Sequence, residues 1–112
     1  MKKGMYIRSK DKNGVQYIRK IVELPEDTRY GSIVVDKDIH NVFWVSKKNV
    51  LKASFNLIDL IKEGDYVNGQ QVIQKYKDWL DLDDDTADLK DIKNIVTKEQ
   101  FEACKYVVER NK

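Results

Sequence analysis

The chain carries the same short pattern twice, and this doubling limits what it can fold into. Three segments of the first half recur in the second half: Gly4-Met5-Tyr6-Ile7 as Gly64-Asp65-Tyr66-Val67, Lys48-Asn49-Val50-Leu51 as Lys93-Asn94-Ile95-Val96, and more weakly Val15-Gln16-Tyr17-Ile18 as Gln71-Val72-Ile73. A chain of 112 residues suffices for one compact domain or two very small ones. Two copies of one small β unit, joined end to end, explain the pattern better than one larger fold.

Short runs rich in β-branched and aromatic residues alternate with turn signals. The pairs Asn13-Gly14 and Asn68-Gly69 are typical of hairpin turns, and Pro25 ends the longest run. The sequence predicts strands over residues 5–9, 15–24, 31–35, 42–45, 49–53, 66–67, 71–76, 92–96 and 105–109. We therefore expect a mainly β protein of two tandem, small SH3-like barrel-type units that pack together.

The two predicted units differ in length and content. The organisation is an N-terminal basic unit over residues 1–53, short helical turns over 54–61, and a shorter C-terminal unit over 62–112. Ser54 is the expected N-cap of the connecting turns. The C-terminal unit contains an acidic loop from Asp78 to Asp88, within which a short strand around Trp79 and Leu82 is one option. It also contains a short helix, for which Thr97 and Gln100 fit a capping box.

The two halves carry opposite net charges. Residues 1–53 hold 12 Lys/Arg against 6 Asp/Glu, a net charge of +6, and residues 54–112 hold 9 against 13, a net charge of −4. A dipolar chain of this kind suits a basic partner at one end and an acidic partner at the other.

The composition disfavours several functional classes. No apolar run approaches the ~18 residues that a membrane span needs, and the basic start lacks the apolar stretch of a signal peptide. One cysteine, Cys104, and one histidine, His40, provide neither an internal disulfide nor a four-ligand zinc site, so we expect a cytoplasmic protein without metal or cofactor. No Ser-His-Asp set, glycine-rich phosphate loop or catalytic carboxylate pair stands out, and the prediction is a non-enzymatic protein.

The acidic loop is the first candidate site. Its carboxylates are Asp78, Asp81, Asp83, Asp84, Asp85 and Asp88. Asp81, Asp83 and Asp85 have the 1, 3, 5 spacing of a calcium loop. Thr86 stands in place of the required glycine, however, and Ile92 in place of the closing glutamate. The other interpretations are an imitation of DNA phosphates that docks in a basic groove, and a solvated loop held open by self-repulsion.

The basic half is the second candidate site. Its predicted nucleic-acid contacts are Arg8, Lys10, Lys12, Arg19, Lys20, Lys47 and Lys48. They are interleaved with Tyr6, Tyr17 and Trp44, and basic side chains beside aromatic rings on a small barrel can hold phosphates and stack on bases. The same alternation also fits the charged solvent side of a half-buried sheet.

Two tryptophans are the largest potential anchors. Trp79 lies between acidic residues, where it fits either an exposed contact of a protein interface or a ring folded back over a small core. Trp44, in the apolar run Val42-Phe43-Trp44-Val45, is predicted to lie in the core or between the two units.

Four segments carry a resemblance: Gly4-Met5-Tyr6-Ile7-Arg8, Phe55-Asn56-Leu57-Ile58-Asp59-Leu60-Ile61, Gly64-Asp65-Tyr66-Val67-Asn68-Gly69 and Ile95-Val96-Thr97-Lys98-Glu99-Gln100-Phe101-Glu102. The chain resembles small uncharacterised proteins that recur in phages and prophages of Gram-positive bacteria, outside residues 76–90. The resemblance brings no activity or site residue. It implies an accessory phage protein in the cytoplasm of the infected or lysogenic bacterium, a setting in which small proteins often bind and block a host protein.

The expected function is therefore inhibition of a bacterial protein by binding, with a CRISPR-type nuclease as the sharpest candidate. Trp79 and the carboxylates of the acidic loop are its expected contacts. The alternative is a small barrel that binds nucleic acid through its basic N-terminal half.

Overall fold

The computed structural model describes residues 1–24, 32–36 and 42–103. Strands make up 49% of these residues, which confirms a mainly β protein. Within the same ranges no helix is long and apolar enough to cross a membrane. His40, Cys104 and the strand predicted over residues 105–109 lie outside the described residues.

The N-terminal half forms an antiparallel five-stranded sheet in the order β4-β3-β2-β1-β5. Its strands are β1 (Tyr6–Lys10), β2 (Gln16–Glu23), β3 (Ser32–Asp36), β4 (Val42–Ser46) and β5 (Val50–Ser54). A 3₁₀ turn, Lys47–Asn49, precedes β5. All five strands agree with the predicted strands to within one residue at most ends, because turn signals and Pro25 mark where each apolar run stops.

The C-terminal half forms a second antiparallel five-stranded sheet, in the order β10-β6-β7-β8-β9. Its strands are β6 (Tyr66–Val67), β7 (Gln70–Lys75), β8 (Trp79–Leu82), β9 (Thr86–Asp88) and β10 (Ile95–Val96). A 3₁₀ turn, Leu89–Asp91, lies between β9 and β10. The optional strand around Trp79 and Leu82 is β8, and most of the predicted loop over residues 78–88 is the β8–β9 hairpin. The hairpin forms because Leu80, Leu82 and Ala87 point inward and are buried.

The repeated glycines begin the two sheets in the same way. Gly4 and Gly64 have φ angles of 92° and 95°, a region that L side chains rarely adopt. The Gly4 N–H donates to the Ile21 carbonyl (3.0 Å) and the Gly64 N–H to the Val72 carbonyl (2.9 Å). The weaker sequence similarity pairs Val72 with Tyr17, but these hydrogen bonds show that Val72 corresponds to Ile21. The difference arises because the first hairpin is several residues longer than the second.

Short helical segments connect some of the strands. The connector contains one 3₁₀ turn, Leu57–Leu60, and its N-cap is Asn56, whose side chain accepts the Ile58 N–H, rather than Ser54. The predicted capping box is confirmed: the Thr97 N–H donates to Gln100 Oε1 and the Gln100 N–H to Thr97 Oγ1, both at 3.1 Å. Helical residues 98–103 follow it.

Each sheet has its own apolar core. The first core contains Ile7, Ile21, Ile33, Val35 and Val45, and the second contains Ile58, Ile61, Val67, Val72, Leu80, Leu82 and Ala87. Ile18 of β2 packs against the second core, on the face of β2 opposite Ile21. The outer face of the β1–β2 hairpin is therefore covered by the C-terminal half and not by solvent.

Candidate functional site

A concave surface opens at the margin of the first core. We call it the basic–aromatic groove and define it by Lys10, Lys12, Tyr17, Arg19 and Phe43. Its cavity of about 540 Å³ is also lined by Ser9, Asp11, Asn13, Trp44, Val45, Ser46 and Asn49. The end of β1, the β1–β2 turn, β2 and β4 thus contribute Lys10, Lys12, Arg19 and the rings of Tyr17 and Phe43 to one hollow.

Alternation along β2 places Tyr17 and Arg19 on the same face of the sheet. The central carbon of the Arg19 guanidinium lies 4.4 Å from the centroid of the Tyr17 ring and 4.7 Å from that of Phe43. Burial lowers the pKa of Arg19, and electrostatic interactions with Tyr17, Asp36 and Asp11 oppose this change. An arginine stays protonated in proteins, so the two rings hold a fixed cation at the floor of the groove.

Lys10 is the last residue of β1, and Lys12 lies in the turn that follows it. The carboxylate of Asp11 accepts the backbone N–H groups of Asn13 (2.8 Å) and Val15 (3.0 Å), which closes an Asx-type turn. Asp11 has the single carboxylate among the residues that line the groove, and its Oδ1 is engaged by its own backbone. The lysines are exposed beside it, and the groove presents a net positive charge to solvent.

The structure brings only part of the predicted basic site together. Lys47 and Lys48 follow Ser46 and precede Asn49, and so flank the groove in the chain. Lys20 lies on the other face of β2 and lines a different hollow together with Tyr6 and Asp36.

Arg8 has to be removed from the predicted nucleic-acid contacts. Its side chain is 1% exposed, because it shares the covered outer face of the β1–β2 hairpin with its cross-strand partner Ile18. Trp44 also differs from its prediction as a core residue, since it is 61% exposed. It pairs with Val34, on the opposite face of β4 from Phe43 and the first core.

The acidic residues are divided between the two ends and one face of the β8–β9 hairpin. Asp78 lies in the β7–β8 turn, whereas Asp83, Asp84 and Asp85 form the β8–β9 turn roughly 16 Å away along the strand. Asp81 and Asp88 lie on the strands themselves, half-buried, and Asp88 pairs with Trp79. Among the residues that the structure describes, no group of three or more Asp, Glu, His or Cys is placed to hold a metal ion.

Trp79 is exposed and stacks on a neighbour. Its ring lies 4.1 Å from the ring of Tyr76 with an interplanar angle of 11°. The Tyr76 N–H donates to the Trp79 carbonyl (2.9 Å), so the two residues face each other across the β7–β8 turn with Asp78 between them. Trp79 is 40% exposed and Tyr76 38% exposed, which leaves part of each ring open to a partner.

A buried ion pair joins the two halves, and sequence reasoning missed it. Asp65 Oδ2 lies 2.5 Å from Arg8 Nη1, and Asp65 Oδ1 lies 3.1 Å from Arg8 Nη2. The same carboxylate accepts the backbone N–H groups of Lys62 (2.8 Å) and Lys98 (2.9 Å). Charge and hydrogen bonding together compensate the burial of Asp65, which is 1% exposed.

The rest of the Arg8 guanidinium is also satisfied. It donates to the Leu60 carbonyl (3.0 Å), to Gln16 Oε1 (2.5 Å) and to Glu99 (3.3 Å). Throughout the described ranges, no buried side-chain nitrogen or oxygen lacks a partner. The one sequence signal for this pair was an acid, Asp65, at the position where the first copy has the apolar Met5.

Comparisons with protein-family models, with curated proteins and with solved structures give no match for this chain. The resemblance to small phage and prophage proteins stays a prediction.

Proposed function

We propose that this protein is a non-catalytic binding protein that holds nucleic acid in the basic–aromatic groove. The observation that carries the proposal is the convergence of Lys10, Lys12 and Arg19 with the rings of Tyr17 and Phe43 in one cavity. Cations that track phosphates, next to aromatic rings that accept bases, are what nucleic-acid sites on small β folds provide.

The decisive experiment compares two matched charge reversals by fluorescence anisotropy with a labelled oligonucleotide. Lys10→Glu/Lys12→Glu changes two exposed groove lysines, and Lys62→Glu/Lys77→Glu changes two exposed lysines outside it. We expect the groove variant to bind at least tenfold more weakly, and its salt dependence to fall by the equivalent of about two phosphate contacts. No binding by the wild-type protein at low salt, or equal loss in both variants, would refute the proposal.

A second candidate function is the inhibition of a bacterial protein by an accessory phage protein, with a CRISPR-type nuclease as the first target to test. It is supported by the stacked, half-exposed rings of Tyr76 and Trp79 beside Asp78. Large aromatic rings of this kind dominate the energy of protein interfaces. The carboxylates of Asp81, Asp83, Asp84 and Asp85 would then give the face its preference for a basic partner.

This candidate is tested by co-purification from a bacterial lysate with three variants. A partner retained by wild type and by Phe55→Ala, but lost with Trp79→Ala, supports it, since Phe55 is also a well-exposed aromatic residue. Charge reversal at Asp81, Asp83, Asp84 and Asp85 tests the acidic contribution separately. Equal recovery of the partner with Trp79→Ala and wild type would rule out this face.

The architecture that we propose for both functions is two SH3-like units in tandem, over residues 1–53 and 62–112. It is supported by the common strand order of the two sheets, in which the fifth strand pairs with the first and the others follow as a meander. The 3₁₀ turns ahead of β5 and β10 also correspond. An experimental structure in which either sheet lacks this strand order would contradict the proposal.

A further inference from the structure

We infer, on the basis of the proposed nucleic-acid function, that the ligand of the basic–aromatic groove is single-stranded. Its phosphates lie on Lys10 and Lys12, and one base stacks on Phe43. The inference rests on three properties of the groove: its shape, the exposure of its rings, and the state of Arg19.

The shape of the site is that of a pocket. Proteins that read duplex DNA insert a helix or a two-stranded ribbon into a groove about 12 Å wide. The basic–aromatic groove is a hollow of about 540 Å³, within the range of small-molecule pockets. A hollow of this size receives an unpaired base, whereas the bases of a duplex are stacked inside the helix and cannot enter it.

Phe43 is the ring that a base can reach. It is 43% exposed, although it lies on the same face of the sheet as the buried Val35 and Val45. Tyr17 is half-buried beneath the guanidinium of Arg19, so it holds the arginine in place and does not offer a free ring face to a base. Stacking of one base on such a ring contributes roughly a 5- to 100-fold increase in affinity and does not depend on the base.

Arg19 extends this platform. Its guanidinium lies within 5 Å of both ring centroids, and a planar cation next to a ring stacks on bases as the ring does. Because the two rings hold the cation in place, little side-chain entropy is lost when a phosphate or a base binds. Lys10, at the end of β1, and Lys12, in the turn that follows, line the same groove and would contact the backbone of the same strand.

The test uses ligands of one length that differ in a single property. Labelled single-stranded DNA, single-stranded RNA of the same sequence, the corresponding DNA duplex and an abasic single strand are titrated with the full-length protein by fluorescence anisotropy. We expect at least tenfold tighter binding of single strands than of duplex, and a similar loss for the abasic strand. The ratio of RNA to DNA affinity identifies which single strand is preferred.

Two variants test whether the preference for single strands depends on the ring of Phe43. Phe43→Ala removes the ring, and Phe43→Leu retains apolar volume next to Val35 if the alanine variant is unstable. Both are expected to lower single-strand affinity about tenfold and to leave abasic-strand affinity unchanged. Phe55→Ala is the matched control, because Phe55 is an exposed aromatic residue that is not among those lining the groove.

The outcomes separate this inference from the proposed function. Equal affinity for duplex and single strands, with weaker binding by Lys10→Glu/Lys12→Glu, retains the nucleic-acid function and overturns the single-strand inference. Equal affinity for the abasic and intact strands overturns base stacking. Binding of none of the four ligands overturns both the function and the inference.

Discussion

Replacing Asp65 by alanine should destabilise the whole protein, because Asp65 compensates a buried charge. Asp65 is 1% exposed and binds both terminal nitrogens of Arg8, which is itself 1% exposed. In the Asp65→Ala variant the guanidinium keeps the Leu60 carbonyl, Gln16 and a weak contact with Glu99, but it loses its buried counter-charge.

The expected loss is a large part of the total stability. Breaking a buried ion pair by removing one partner costs about 3–5 kcal/mol. A chain of this length has a free energy of unfolding of roughly 6–17 kcal/mol, at ~0.05–0.15 kcal/mol per residue. Asp65→Ala should therefore remove about a fifth or more of the stability, and a protein at the lower end of that range would retain only about 1–3 kcal/mol.

The assay is urea unfolding followed by circular dichroism, with two reference variants. Glu99→Gln removes the other carboxylate near Arg8, which is 31% exposed and 3.3 Å away, and should cost at most about 1 kcal/mol. Arg8→Met/Asp65→Asn removes both charges and should be more stable than Asp65→Ala, because no buried charge remains. Its recovery is partial, since the backbone N–H groups of Lys62 and Lys98 still need the acceptor that Asp65 provides.

Asp65 does not have this role if Asp65→Ala lowers the free energy of unfolding by less than about 1 kcal/mol, or by no more than Glu99→Gln does. The same conclusion follows if Arg8→Met/Asp65→Asn is less stable than Asp65→Ala. Either result would mean that water or another group compensates Arg8 in the folded protein.

Three further predictions concern single positions. Gly4→Ala and Gly64→Ala should each cost about 1–2 kcal/mol in urea unfolding, because both glycines have φ above 90°; an unchanged midpoint for either would contradict the backbone assignment. Leu80→Ala, at a fully buried position, should cost about 2–5 kcal/mol, whereas Ile73→Ala, 49% exposed on the neighbouring strand, should cost less than about 0.5 kcal/mol; equal losses would refute the assigned faces of the sheet. Burial, and to a smaller extent repulsion from Lys52, lowers the pKa of Lys75 from its ordinary value of 10.5, so folding disfavours its charged form. The free energy of unfolding should therefore rise as the pH increases from the folded pKa towards 10.5. Lys75→Met should remove that rise without loss of stability at pH 7, and a steeper rise in the variant would reverse the sign of the effect.

Local patterns predicted the strands of the first sheet and the β6–β7 hairpin, whereas most of the β8–β9 hairpin was predicted as a loop. The turn pairs Asn13-Gly14 and Asn68-Gly69, and the alternation of apolar residues between them, depend on neighbours in the sequence. The hairpins that they predict are present, and Asn68 has the positive φ of such a turn. The capping box at Thr97 is equally local. Elements whose geometry is fixed within a few residues could therefore be predicted without knowledge of the rest of the fold.

Exposure could not be predicted in the same way, because it depends on distant residues. Arg8 has the pattern of a solvent-facing strand residue, yet the C-terminal half covers it. Trp44 has the surroundings of a core residue, yet nothing among the described residues buries its ring. The basic–aromatic groove needs Phe43 to approach Arg19 across β3, and no spacing in the sequence encodes that approach.

The ion pair between the two halves lies at a position where the repeated sequence pattern differs. Met5 and Asp65 each follow a glycine of positive φ and each precede a tyrosine at the start of a strand. Met5 packs against the first core, whereas Asp65 is buried and accepts hydrogen bonds from the guanidinium of Arg8 in the N-terminal half. The residue after the glycine is thus a core contact in the first half and a contact between the two halves in the second.

The contacts between the two halves also fix the hairpin that lines the basic–aromatic groove. Gln16 accepts from Arg8 Nε, and its carbonyl accepts from Thr97 Oγ1, so the turn end of the β1–β2 hairpin is fixed to the C-terminal half. Lys10, the strand partner of Gln16, and Lys12, in the turn, belong to that end of the hairpin. The C-terminal half therefore supports the groove, because Asp65 and Thr97 anchor the hairpin that carries its lysines.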